Sequence, residues 1–104
     1  MYYNIALPVR SKDLERLFKV KWEHYRLWKL IGTELGIDVD TLNGIEETHS
    51  VGNRNCLRVM VDTANPRITR EAMGNALQSE VITNAIAGQF RYKQFNNNNL
   101  FIYN

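Results

Sequence analysis

The sequence predicts an all-α fold, a six-helix antiparallel bundle, on three observations. Apolar residues recur at three- and four-residue steps through almost all of residues 11 to 88. Clusters of Ser, Thr, Asp, Asn, Gly and Pro interrupt those stripes and leave connections of only a few residues. At the centre, two stripes are joined so tightly around Gly36 that the helices carrying them must cross, with Trp28 filling the space between them.

Residues 1 to 10 are an aromatic and aliphatic lead-in, with Tyr2, Tyr3, Ile5 and Leu7, that Pro8 ends in an extended form fit to pack on the core as an arm. Ser11 is placed to cap the first helix, with Asp13 and Glu15 in the first turn, where the helix dipole favours carboxylates. Leu14, Leu17, Phe18 and Trp22 make its inward stripe, and Lys12, Arg16 and Lys19 its outward face. His24 and Tyr25 fall in the junction that follows.

The next helix carries Leu27, Trp28, Ile31 and Leu35 on one face, with Lys29 and Glu34 turned away. Gly36 suits the left-handed residue that closes it, and Asp38 offers a side-chain cap to a short third helix bringing Val39, Leu42 and Ile45 inward. Residues 46 to 53 lose the periodicity and read as a loop, after which Gly52 or Asn53 opens the fourth helix. There Cys56, Leu57, Met60, Val61 and Ala64 face inward and Arg54, Arg58 and Asp62 outward, until Asn65 and Pro66 stop it.

Thr69 caps a fifth helix marked by Ala72, Met73, Ala76 and Leu77, with Arg70 and Glu71 exposed. Ser79 caps a sixth, carrying Val81, Ile82, Ala85 and Ile86 and ending near Gly88. Residues 89 to 104 form a tail outside this pattern. Its residues 89 to 95 suit a strand or a helix extension, and Asn96 to Asn99 are a flexible polar tract. Leu100, Phe101, Ile102 and Tyr103 then make a short apolar end that joins the core, meets a partner or stays disordered.

A chain of 104 residues is one domain, long enough to bury a modest core without a metal or disulfide staple. Its single cysteine, Cys56, sits on an apolar stripe, which makes it a small core residue and suits a reducing, cytoplasmic setting. No apolar run approaches the roughly 18 residues of a membrane span, and the N-terminus lacks the layout of a signal peptide. His24 and His49 have no zinc-ligand spacing to that lone thiol, so neither metal nor cofactor is expected.

A net charge of +2 and a pI near 8.8 are too mild to argue for nucleic acid. Distribution says more. Residues 10 to 29 hold seven basic side chains against three acidic ones, whereas residues 30 to 53 hold five acidic ones and no Lys or Arg. The chain therefore offers a basic surface at Lys12, Arg16 and Lys19 and an acidic one at Asp38, Asp40, Glu46 and Glu47. Such charges either dock a partner or keep a small domain in solution.

Several stretches together resemble the death-domain superfamily in order and spacing. They are Trp-Lys-Leu-Ile-Gly-Thr-Glu-Leu-Gly-Ile-Asp from Trp28, Leu42 with Ile45 and Glu46, Cys-Leu-Arg-Val-Met from Cys56, Asn65 and Pro66 with Thr69, and Met73 with Ala76 and Leu77. The resemblance covers residues 11 to 88. It departs from many members after Met60, where Val61, Asp62 and Thr63 stand where a tryptophan is common, and at Arg70, where an aromatic is frequent.

The resemblance implies a Greek-key death fold and a non-enzymatic module whose partner is another death-fold domain, of its own kind or a relative, in apoptotic or innate-immune signalling. It also implies that faces on the first and fourth helices meet faces on the second and third, which adds Arg54 and Arg58 to the basic surface. Opposite patches on one molecule permit head-to-tail contacts that propagate into oligomers.

Three other classes compete. An enzyme would need a nucleophile beside a base, a metal cluster or a glycine-rich phosphate loop, and the sequence carries none of these patterns. A DNA-binding helical domain would read a groove with the helix after Thr69, which offers only Arg70, Glu71 and Asn75. An adaptor bundle that does not self-associate differs from the death-fold reading in stoichiometry rather than in sequence.

Overall fold

A computed structural model of the chain describes residues 4–48, 52–64 and 68–98. Among them run seven helices: α1 (Asp13–Arg16), α2 (Trp22–Arg26), α3 (Trp28–Glu34), α4 (Val39–Thr48), α5 (Asn53–Ala64), α6 (Arg70–Leu77) and α7 (Glu80–Asn98). The all-α expectation holds, and no strand occurs among the described residues. Expectations resting on Tyr2, Tyr3, His49, Asn65, Pro66, Asn99 and residues 100 to 103 lie outside them, as does the side chain of Ala64.

The core forms where the stripes converge on α5. Cys56, Leu57, Met60 and Val61 are buried there against Trp28 and Ile31 of α3, Leu42 and Ile45 of α4 and Met73 of α6. Gly32 is what lets α3 approach so closely: a Cβ there would stand 2.6 Å from Leu42 Cδ2 and 2.7 Å from Met60 Sδ. Gly36, at φ +83°, closes α3 as expected. Asp38 then caps α4, its Oδ2 accepting from the Thr41 N–H at 3.1 Å and its Oδ1 from the Thr41 hydroxyl at 2.7 Å.

The expected first helix is broken in two. It stops after Arg16, Lys19 takes a left-handed φ of 57°, and α2 begins only at Trp22. Val20 is the physical reason. It lies off the stripe of Leu14 and Phe18, so a continuous helix would hold it in water and bury Trp22. The break reverses this: Val20 is buried and Trp22 is 42 % exposed. Ser11 is not the cap, for α1 has no side-chain cap and the Ser11 N–H instead donates to Asp62 Oδ1 at 3.1 Å. His24 and Tyr25 belong to α2 rather than to a junction.

Two further helix limits and the facing of two residues differ from expectation. α4 continues through Thr48, so residues 46 to 48 are helix rather than loop, and its first residue Val39 is 63 % exposed rather than inward. On α7, Ile82 is buried but Val81 is exposed. That helix does not end near Gly88: its backbone runs on to Asn98, a helix-interior glycine being only about 1 kcal/mol worse than alanine.

The arm is tied down by its backbone and by Val9 rather than by the side chains singled out for it, since Ile5 and Leu7 are exposed. Val9 is fully buried and donates its N–H to the Ile68 carbonyl at 2.9 Å, beside a lone antiparallel bridge between Pro8 and Thr69. The arm also completes the start of α6. The Arg70 and Glu71 N–H groups donate to the Leu7 and Ile5 carbonyls at 2.9 and 3.0 Å, and those of Ala72 and Met73 to the side chain and carbonyl of Thr69. The open donors of the first three helical residues, Arg70, Glu71 and Ala72, are thus satisfied, and the Met73 N–H makes the first bond within the helix.

A buried ion pair ties the same region to α1. Asp13 is 6 % exposed and accepts from the Arg70 guanidinium at 3.2 and 3.3 Å and from the Arg10 N–H at 3.0 Å. Arg70, expected outside, is turned inward by this partner.

Candidate interaction surface

The charged residues assigned to the basic and acidic surfaces are all exposed, and the fold divides them. Lys12, Arg16 and Lys19 are exposed around the short α1. Arg54 and Arg58, one turn apart on α5, are exposed beside Glu15 of α1. Arg54 donates to Glu15 Oε2 at 2.6 Å and lies 5.7 Å from the centre of the Tyr25 ring.

Tyr25, buried on α2, donates its hydroxyl to the same Glu15 oxygen at 2.6 Å. That hydrogen bond, with the charges of Arg54 and Arg58, holds the Glu15 carboxyl below its ordinary pKa. Burial and the same bond raise the Tyr25 hydroxyl above its own.

On the acidic side, Asp38, Asp40, Glu46 and Glu47 are exposed along α4 and its cap. Glu46 is turned back onto the molecule, accepting from Lys29 of α3 at 2.7 Å. Asp38 is occupied by Thr41, whose hydroxyl and N–H lower its pKa. Asp40 and Glu47 make no ion pair among the described residues, and neither do Lys12, Arg16 and Lys19. The two internal pairs, Arg54 with Glu15 and Lys29 with Glu46, are exposed and add little to stability.

The fold adds a feature that the stripes hid. Between α1, α2 and the start of α5 lies an open cleft lined by Glu15, Val20, Lys21, Trp22, Tyr25, Arg26, Asn53 and Arg54. The exposed Trp22 ring lies on its wall with the Arg26 guanidinium 5.6 Å from the ring centre. Lys21 and Arg26 were not singled out in the sequence and Trp22 was expected inward, because it sits at helical spacing from Phe18. The one available signal was Val20, apolar and off that stripe.

The helix offered as a DNA reader loses its cation to the interior, since Arg70 is spent on Asp13, which leaves Glu71 and Asn75 outside. Among the described residues no helix is long and apolar enough to cross a membrane, and no group of three His, Cys, Asp or Glu is placed to hold a metal ion. Compared with known proteins, the chain matches no family model, no curated relative and no solved structure.

Proposed function

We propose that this chain is a non-enzymatic protein–protein interaction module of the death-fold kind. Its partner is another death-fold domain, a second copy included, in cytoplasmic signalling of the apoptotic or innate-immune type. The observation that carries the reading is the separation of charge on one helical bundle: exposed cations around α1 and α5 and exposed carboxylates along α4, of which Arg54 and Glu46 alone form ion pairs among the described residues, with Glu15 and Lys29 respectively. Head-to-tail contact between such poles is heterologous and propagates.

The element order also supports the death-fold resemblance. Counting α1 and α2 as one interrupted helix gives six elements, with Trp28 buried at the start of the second, Ile45 in the third, Cys56 and Met60 in the fourth and Thr69 capping the fifth. The Greek-key arrangement is part of the proposal.

Size-exclusion chromatography with light scattering, across protein concentration at low and high salt, tests it. Mass that rises with concentration and falls back with salt is the expected result, because screening shortens the reach of exposed charges to about 3 Å at 1 M. A constant monomer mass throughout would remove self-assembly and leave an adaptor bundle that does not self-associate.

A further inference from the structure

We infer that the contact between copies is anchored by an apolar plug: Val39 of one copy enters the cleft at Trp22 of the next, and the surrounding charges guide it there. This rests on the head-to-tail reading above and adds to it what holds the poles together.

Val39 and Trp22 are exposed apolar side chains in surroundings of opposite charge, Trp22 through the lining of its cleft rather than its chain neighbours, which are Lys21 and Glu23. Val39, 63 % exposed in the first turn of α4, stands between Asp38 and Asp40. Trp22, 42 % exposed, stands beside Lys21, with Arg26 and Arg54 completing a rim of three cations against the single carboxylate of Glu15. Arg54 and Glu15 offset each other in their ion pair, so Lys21 and Arg26 carry the net positive charge of the rim. An acid-flanked aliphatic knob and a cation-rimmed aromatic cleft match in charge and in polarity, and the Trp22 ring supplies the larger share of the apolar contact.

The occupant is a second copy, because this chain itself carries the matching knob and cannot seat it in its own cleft. The knob opens α4, whereas the cleft borders the start of α5, which follows the far end of α4. A ten-residue helix separates its ends by about 15 Å. Two patches that far apart on one rigid body meet only between molecules, and each added copy presents a fresh knob and a fresh cleft.

The test compares the intact chain with Trp22→Ala and Val39→Asp, using circular dichroism to verify the helices and light scattering to follow mass against concentration. Each variant is expected to self-associate about tenfold more weakly, or worse. Mixing them leaves one intact contact, the knob of Trp22→Ala in the cleft of Val39→Asp, so the mixture is expected to stop at two chains. Iodide quenching gives a second readout: Trp22 is reached in dilute protein and shielded in the assembly, while Trp28 is buried in both.

Variants that associate like the intact chain, while salt still disperses all three, would overturn the anchor and leave the two-pole reading standing. An intact chain that stays monomeric at every concentration and salt would overturn both.

Discussion

At the scale of single residues, two glycines in neighbouring helices separate the effects of packing and propensity. Gly32 and Gly44 are both helix-interior, so alanine at either gains up to about 1 kcal/mol of helix propensity. At Gly44 a Cβ meets nothing within 4 Å, and Gly44→Ala is expected to raise stability by about 0.5–1 kcal/mol. At Gly32 the Cβ would press on Leu42 and Met60, which are 1 % and 0 % exposed and have little room to withdraw. Overpacking costs about 1–3 kcal/mol, so Gly32→Ala is expected to be a net loss of about 1 kcal/mol. Urea titration of the two variants checks both signs. A stabilised Gly32→Ala would mean that Leu42 and Met60 repack freely. Asp13 poses a larger question, because Asp13→Ala strands the half-buried Arg70 without its carboxylate. Removing one partner of a buried pair costs about 3 kcal/mol, and the midpoint in urea should move accordingly.

At the scale of elements, α2 is the weak link and carries its own pH dependence. Five residues long, it opens on His24 Nδ1 accepting from the Lys21 N–H at 3.1 Å, an acceptor available only while that nitrogen is unprotonated. Burial, followed by the charge of Lys21, pushes the His24 pKa below its ordinary value, against the opposing effect of Glu23. A lowered folded-state pKa means that this stabilisation is complete above the ordinary histidine value of about 6.5. It is lost as pH falls through the lowered one. The thermal midpoint should therefore drop on the acid side of that range, and His24→Gln, which keeps an acceptor that does not titrate, should flatten the slope. An unchanged slope would assign the effect to other groups.

The same element shows what the sequence could and could not tell. The stripes of α3, α5 and α6, the left-handed Gly36, and the caps at Asp38, Thr69 and Ser79 were legible because each depends on near neighbours in the chain. The break at Lys19 was not, since no glycine or proline marks it and tertiary burial of Val20 decides it. The inward turn of Arg70 toward Asp13, 57 positions earlier, and the cleft that exposes Trp22 are likewise products of distant residues meeting.

For the whole molecule, charge reversal asks how the two poles are used. Arg16 on α1 and Asp40 on α4 are exposed and make no ion pair among the described residues, so changing either disturbs no internal contact of that kind. Single exposed charge contacts are weak, and Arg16→Glu or Asp40→Lys alone should weaken self-association only about two- to fivefold. In an assembly that grows by repeating one contact, even that shift lowers the average mass visibly at fixed concentration. Mixing the two variants restores attraction twice over: the native Asp40 of one meets the native Arg16 of the other, and the introduced glutamate meets the introduced lysine. Growth beyond two chains should therefore return in light scattering, unlike a mixture of Trp22→Ala with Val39→Asp, where only one contact of each pair survives. If neither reversal alters the mass, the poles do not face each other between copies. If the single variants weaken but their mixture does not recover, then Arg16 and Asp40 each contact something other than the opposite pole.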